Sequence, residues 1–212
     1  STLLSADESL VWTPAPNANG TLNAFTVKAW DGALASASAV QVQVTVTAVD
    51  DAPVLTLTNS NPTYTENSTS FFIDSTLTLT DVDSSTLTGA KVVISTNFNS
   101  SQDSLSASGT NVSWSGSSGS YTGAGGTISM SYSSATGVMT LSGTANVSDY
   151  QAALRTIKYG NSSEDPSTAT RGIDITCGMA VGTVLGDNLL HFYEFVSSPG
   201  ISWTSAKYAA AS

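Results

Sequence analysis

From Val40 to Val49 the chain alternates apolar and polar residues almost one for one, Val-Gln-Val-Gln-Val-Thr-Val-Thr-Ala-Val. A period of two places the apolar side chains on one face of a pleated strand, whereas a helix needs a repeat of about 3.6. Residues 22–30, from Leu22 to Trp30, alternate in the same way. The two stretches predict a hairpin, with Asp31-Gly32 opening its connection and Pro14, Pro16, Asn17, Asn19 and Gly20 forming a loop ahead of it. Two or three strands cannot close a sandwich, so residues 1–50 read as the C-terminal part of a first β-sandwich.

Val49-Asp50-Asp51-Ala52-Pro53 then reads as a linker, because Pro53 cannot donate to a ladder and paired carboxylates favour water or a cation. A second pattern starts there and predicts strands near 54–58, 76–80, 89–96, 127–132, 137–142, 155–160 and 171–177, joined by Ser/Gly-rich loops. Seven such strands suit a whole sandwich over residues 51–182. Thr127 to Tyr132 and Val138 to Leu141 alternate on either side of Ser133 to Gly137, which marks a second hairpin. Val147, Tyr150, Ala153 and Leu154 recur at helical spacing, with Asn146 or Ser148 as the cap. Over 183–212 the texture changes to a short strand-helix segment, His191 to Val196 and Trp203 to Ala211. The expected class is therefore all-β, in tandem sandwiches.

Composition agrees and removes several functions. Charged residues are 10% of the chain, while roughly three residues in ten are Ser or Thr. The net charge of −10, from 6 basic and 16 acidic residues, excludes a basic patch for phosphate, so the expected partner is a cation and not nucleic acid. No run approaches the ~20 apolar residues of a span, so membrane insertion is not expected. The first residues lack a signal peptide's basic and apolar regions, which puts any export signal outside this chain. A single cysteine, Cys177, excludes an internal disulfide and reads as a buried structural thiol. The one histidine, His191, sits among aromatic residues with no nucleophile motif or His/Cys cluster beside it, so no enzyme is expected. Trp12, Trp30, Trp114 and Trp203 could line a sugar-binding face, but dispersed tryptophans are more often core anchors, with Trp114, in a polar Ser/Gly stretch, as the exception.

Asp81-Val82-Asp83 would put two carboxylates on one side of an extended segment. At ~4 Å two such charges repel by about 4 kcal/mol at an effective dielectric of about 20, which a shared cation would reverse. Ca²⁺ takes six to eight oxygen ligands, and Asp31, Asp50 and Asp51 are plausible companions; the other reading is that these residues are ordinary solvated turn residues.

Val49 to Pro53, Tyr64-Thr65-Glu66-Asn67, Thr80-Asp81-Val82-Asp83-Ser84 and Ala29-Trp30-Asp31-Gly32 together resemble the Ig-like, cadherin-like repeats of bacterial surface adhesins. In that family linker carboxylates and an Asp-x-Asp pair bind calcium and stiffen the array. The resemblance implies a Ca²⁺ junction of Asp31, Asp50, Asp51, Asp81 and Asp83, with Glu66 matching the family's early glutamate. The linker departs from the commonest form in having Asp-Asp for Asn-Asp, and Ile175 to Ala180 lacks the Asp-Gly that a second junction needs. Thr140 to Tyr159 resembles a repeat signature of large Gram-negative adhesins, with Tyr150, Leu154, Ile157 and Tyr159 as packing positions. His191 to Val196 with Ile201 to Ser212 is similar to the opening of a C-type lectin-like domain. That order of modules is familiar from Bacteroidota, where Asp74-Ser75-Thr76 and Asp103-Ser104-Leu105 would resemble O-glycan acceptor sites at Ser75 and Ser104.

The resemblance implies a secreted, cell-surface stalk whose partners are neighbouring repeats, surface glycans and secretion or anchoring machinery. A carbohydrate-binding accessory region of a secreted polysaccharide-degrading enzyme, or a subunit of an extracellular filament, would share these features. Sequons such as Asn19-Gly20-Thr21 and Asn111-Val112-Ser113 matter only in a host with N-glycosylation.

Overall fold

In a computed structural model that describes residues 4–178 apart from Ala6 and Ser60, together with two short strands at 184–185 and 192–193, every ladder is antiparallel. The chain divides into two compact units, Ser1–Asp51 and Ala52–Ser212.

The first unit holds the expected hairpin, β1 (Gly20–Val27) paired with β2 (Val40–Val46). Leu22 faces Val44, Phe25 faces Val42 and Val27 faces Val40, whereas Thr21–Thr45, Asn23–Gln43 and Thr26–Gln41 form the polar side. A bulge at Ala24 keeps Leu22 and Phe25 on the same face. The first strand stops short of Trp30, which instead makes an isolated bridge to Ala35. Among the described residues of this unit no side chain is fully buried.

The second unit contains β3 (Val54–Thr56), β4 (Phe71–Phe72), β5 (Thr78–Thr80), β6 (Thr86–Thr96), β7 (Asp103–Ala107), β8 (Val112–Ser115), β9 (Ser118–Gly123), β10 (Gly126–Ser133), β11 (Val138–Asn146), α1 (Val147–Arg155), β12 (Ile157–Asn161) and β13 (Gly172–Cys177). One sheet runs β13-β6-β11-β10-β9-β8, a second runs β4-β12-β7, and β3 pairs with β5. Leu105, Ala107, Ile157 and Tyr159 of the smaller sheet share one core with Val92, Ile94, Ile128, Met130, Met139 and Leu141 of the larger, which makes the unit an all-β sandwich. β14 (Val184–Leu185) pairs with β15 (Phe192–Tyr193); the rest of the expected lectin-like strand, and all of the helix after it, lie outside the described residues.

One row crosses the larger sheet from edge to edge: Cys177 beside Ala90, then Leu141, Met130, Gly119 and Trp114. Gly119 offers no side chain, and a Cβ there would overlap the Trp114 ring, so the indole occupies that space. Trp114 therefore stands on a strand and packs against the core, not in the loop the sequence predicts. β4, β7, β8 and β9 are likewise strands where the sequence predicts Ser/Gly-rich loops. The hairpin of β10 and β11 forms with Ser133 opposite Val138, and Gly137 closes its loop at a φ of 70° that suits a glycine.

β11 bulges between Ser142 and Ala145, where Gly143 has a φ of 128°, and the chain then enters α1. Tyr150 Oη donates to the Gly143 carbonyl at 2.7 Å, tying the helix to the bulge. Gln151 Oε1 accepts from the Leu79 amide and Arg155 Nε donates to the Leu77 carbonyl, so α1 also fixes the approach to β5. Asn146 is the N-cap by position, but neither it nor Ser148 caps through its side chain; Asp149 lies in the first turn, where the helix dipole favours a negative charge, and is turned inward to accept from the Gly125 amide at 2.7 Å.

Two further carboxylates are inside. Asp103 accepts from Tyr159 Oη and Asn161 Nδ2 at 2.6 Å each, from the Asn99 amide at 2.7 Å and from Arg171 Nε at 3.2 Å. Burial works to raise its pKa, but the donors led by Tyr159 and Asn99 outweigh it and lower it below 3.8. Burial, together with the pairing to Asp103, pushes Tyr159 up to about 12, so the proton stays on the phenol. Asp74, 1% exposed, accepts from the amides of Thr58, Asn59 and Thr76 and from the hydroxyls of Thr58 and Thr76, which also contact each other. Burial again opposes ionisation, and the Asn59, Thr76 and Thr58 donors hold this carboxyl far below its ordinary value.

Leu141→Ala, at a fully buried position, is expected to cost about 3 kcal/mol in chemical denaturation. Asp103→Asn should cost about 2–4 kcal/mol, because Arg171 and Tyr159 lose their charged acceptor inside the fold. Both carboxyls have folded pKa values below 3.8, so their stabilisation is complete above that value and is lost as the pH falls below it toward the folded values. The Asp74→Asn, Asp103→Asn double variant should accordingly show a flatter fall of Tm below about pH 4 than the parent; an unchanged slope would place the acid sensitivity elsewhere.

Candidate functional site

Asp31 and Asp81, in different units, build the same turn. Asp31 Oδ1 accepts from the amides of Ala33 and Leu34, each at 2.8 Å. Asp81 Oδ1 accepts from those of Asp83 at 3.2 Å and Ser84 at 2.8 Å. A short carboxylate that bonds the backbone two and three residues ahead folds the chain back on itself. The Leu34 and Ala33 amides lower the pKa of Asp31, which is solvent-exposed, below 3.8.

This turn corrects the expected geometry of Asp81 and Asp83. β5 ends at Thr80 and the chain bends at Val82 and Asp83, so the segment is not extended and strand alternation does not decide where its carboxylates point. The two residues do belong to one tight turn, with Asp81 half-buried and Asp83 exposed. Asp50 and Asp51 are exposed at the end of the first unit. Glu66 is exposed in a separate turn closed by the Ser68 amide on the Thr65 carbonyl at 3.0 Å. Within either unit, no group of three or more His, Cys, Asp or Glu side chains converges among the described residues. Asp81 and Asp83 thus share one turn, in which one Asp81 oxygen is already turned to the backbone.

Ser75 and Ser104 are both exposed, each next to a buried aspartate. At Asp103-Ser104 the cause is strand alternation in β7, which turns the carboxylate inward and the hydroxyl outward, where Ser104 Oγ donates to the Gly160 carbonyl at 3.3 Å. At Asp74-Ser75 the inward turn belongs to the loop before β5. Cys177 is half-buried at the end of the cross-sheet row, and burial pushes its thiol up to about 12, which leaves it protonated and unreactive at neutral pH. Trp12 is half-buried and Trp30 is exposed, whereas His191 and Trp203 lie outside the described residues.

Sequence reasoning did not assign the buried acceptors Asp74 and Asp103 or their partners Arg171 and Asn161, and it read Tyr159, a donor to Asp103, only as a packing position. The signal was present only as an aspartate in phase with the apolar positions of its strand: Asp103, Leu105 and Ala107 share the inward face of β7.

No protein family matches the chain, and no solved structure matches it significantly. Halomucin of Haloquadratum walsbyi is 32% identical to it over 163 residues, a stretch that spans 74% of this chain and 2% of halomucin. The chain is therefore similar to one short stretch of a very long protein.

Proposed function

We propose that the chain is a structural segment of a secreted cell-surface adhesin, in which Ig-like or cadherin-like sandwiches in tandem extend and present a binding module. The observation that carries this reading is the similarity of 74% of the chain to 2% of halomucin, since a protein of that length has room for many units of this size. The fold supports it: the second unit turns its buried carboxylates, Asp74, Asp103 and Asp149, to donors on neighbouring segments, which suits a mechanical role better than a catalytic one. The apolar face of β1 and β2, with Val40 64% exposed, calls for a second sheet, as the end of a preceding repeat would have. Residues 183–212 would open the lectin-like module. Surface glycans and the secretion or anchoring machinery are the expected partners, and Ser75 and Ser104 are offered as O-glycan acceptors on their exposure.

In this reading Asp31, Asp50, Asp51, Asp81 and Asp83 hold Ca²⁺ at the junction of the two units, and Glu66 serves the next junction or the near end of its own repeat. The ion would replace repulsion among carboxylates by shared coordination, so the stalk stiffens when it binds.

Calcium at about 100 times its Kd should stabilise the chain by ~2.7 kcal/mol, raising Tm by several degrees, and should lengthen the particle seen by scattering. The Asp81→Asn, Asp83→Asn variant keeps a side-chain oxygen at position 81 for the two backbone amides while removing both charges; it should fold normally and lose the calcium response. An unchanged Tm and particle length with calcium or chelator would remove calcium from the proposal and leave these residues as turn formers.

A further inference from the structure

We infer that Asn67 and Asn111, with Asn19 in the first unit, are acceptors for N-linked oligosaccharide, and that the sequons at Asn99, Asn146 and Asn161 are not. Six asparagines stand two residues before a Ser or Thr with no proline between: Asn19, Asn67, Asn99, Asn111, Asn146 and Asn161. The sequence does not distinguish them. The fold does, because the transferase must reach both the side-chain amide nitrogen and the hydroxyl two residues on.

Asn161 spends its amide nitrogen on Asp103 at 2.6 Å and its amide oxygen on the Ser163 amide at 2.9 Å. Asn146 is half-buried, with its amide packed so closely on Gly125 that a Cβ there would overlap it. Asn99 is half-buried, and its Oδ1 accepts from both the amide and the hydroxyl of Ser101, so the second recognition group is folded back onto the first.

Asn67 and Asn111 have the opposite surroundings and share one geometry. Each is the third residue of a tight turn, closed by the Ser68 amide on Thr65 at 3.0 Å and by the Val112 amide on Gly109 at 3.3 Å. Each has a left-handed φ, 61° and 66°, which asparagine tolerates better than most residues. Both side chains are exposed, neither amide makes a hydrogen bond among the described residues, and Thr69 and Ser113 are exposed as well. Tyr64 Oη holds the Asn67 turn from beneath through the carbonyls of Ser68 and Asn161, at 3.1 and 2.9 Å. Asn19 is exposed, with Thr21 exposed and a single long contact of 3.3 Å to the Asn17 carbonyl.

In the reaction the amide nitrogen displaces a lipid-linked phosphate from the anomeric carbon of an oligosaccharide. The C–N bond forms, the C–O bond to phosphate breaks, the phosphate leaves on the lipid with the electron pair, and the amide proton passes to a base of the transferase. The inference rests on the proposal that the chain is exported, because the donor and transferase act at a membrane on the exported side. Glycans there would hydrate a surface that has few charges of its own, 10% of the residues.

The folded chain is incubated with a purified oligosaccharyltransferase and its lipid-linked oligosaccharide, and each sequon peptide is mapped by mass spectrometry beside a urea-unfolded control. The expected result is one glycan each at Asn19, Asn67 and Asn111, none at Asn99, Asn146 or Asn161, and modification of these last three only after unfolding. Thr69→Ala and Ser113→Ala should delete the glycans at Asn67 and Asn111 respectively and leave the others. Bare Asn67 and Asn111 in the folded chain while the unfolded chain accepts, or equal modification of Asn161 in both, would overturn the inference. The chain from its own cells decides the natural case by the same mapping together with protease shaving of intact cells. A surface chain bare at Asn67 and Asn111 overturns this inference alone, and a bare chain inside the cell overturns the export reading with it.

Discussion

A single buried carboxylate, Asp103, ties the two sheets of the larger unit together. Its donors come from β12 through Tyr159 and Asn161, from the turn before β7 through Asn99, and from the lead into β13 through Arg171, while Tyr132 of β10 donates to the Asp103 backbone carbonyl. Removing a carboxylate from water costs several kcal/mol, and only a full set of donors offsets that. What the arrangement supplies beyond free energy is direction. Apolar burial is indifferent to orientation, and a one-residue slip of a strand is opposed only by the loss of its buried face. Fixed donors on four segments make such a slip cost their hydrogen bonds as well. Arg171 adds its own acceptors, the carbonyls of Ser167 and Ala169, so the loop before the edge strand β13 is fixed by the same group.

This division explains what was legible in the sequence. β1, β2, β10, β11 and α1 were readable because each repeats apolar residues at the period of its own structure. β8 and β9 were not, because the row that crosses them spends one position on Gly119 and fills it from Trp114, so neither strand has an alternating apolar run of its own. β7 has the alternation, but with an aspartate at one inward position, and an inward aspartate reads as a turn until its donors are known. The strands were thus visible where the hydrophobic effect alone sets them and hidden where a polar group or a missing side chain shares the work.

The roles of the short polar side chains did not read through for a related reason. Aspartate and asparagine have one short polar arm, and the chain uses it repeatedly to fold its backbone: Asp31, Asp74, Asp81, Asn99 and Asn161 each accept from the amide two residues ahead. Residue type and spacing cannot separate an aspartate that makes a turn from one that waits for a cation, since both lie in polar stretches between strands. Nor are the two roles exclusive. A carboxylate fixed by two amides has a defined orientation, which favours an incoming cation, and in Asp31 the same amides also favour the ionised form; the oxygen so used is unavailable as a ligand.

On the calcium proposal, stiffness within a unit and stiffness between units would rest on similar ionised groups with different partners. Inside the sandwich the partners are backbone amides, a tyrosine, an asparagine and an arginine carried by the chain itself, so this rigidity is present whenever the fold is. At a calcium junction the partner is borrowed from solution at an affinity that conditions can change. A stalk built in this way would keep its units folded under chelation while their joints loosened, because the interior carboxylates gain nothing from the ion. Few charged residues are then needed on the outer faces, and serine and threonine can occupy the outward positions of strands whose inward positions already fix the register.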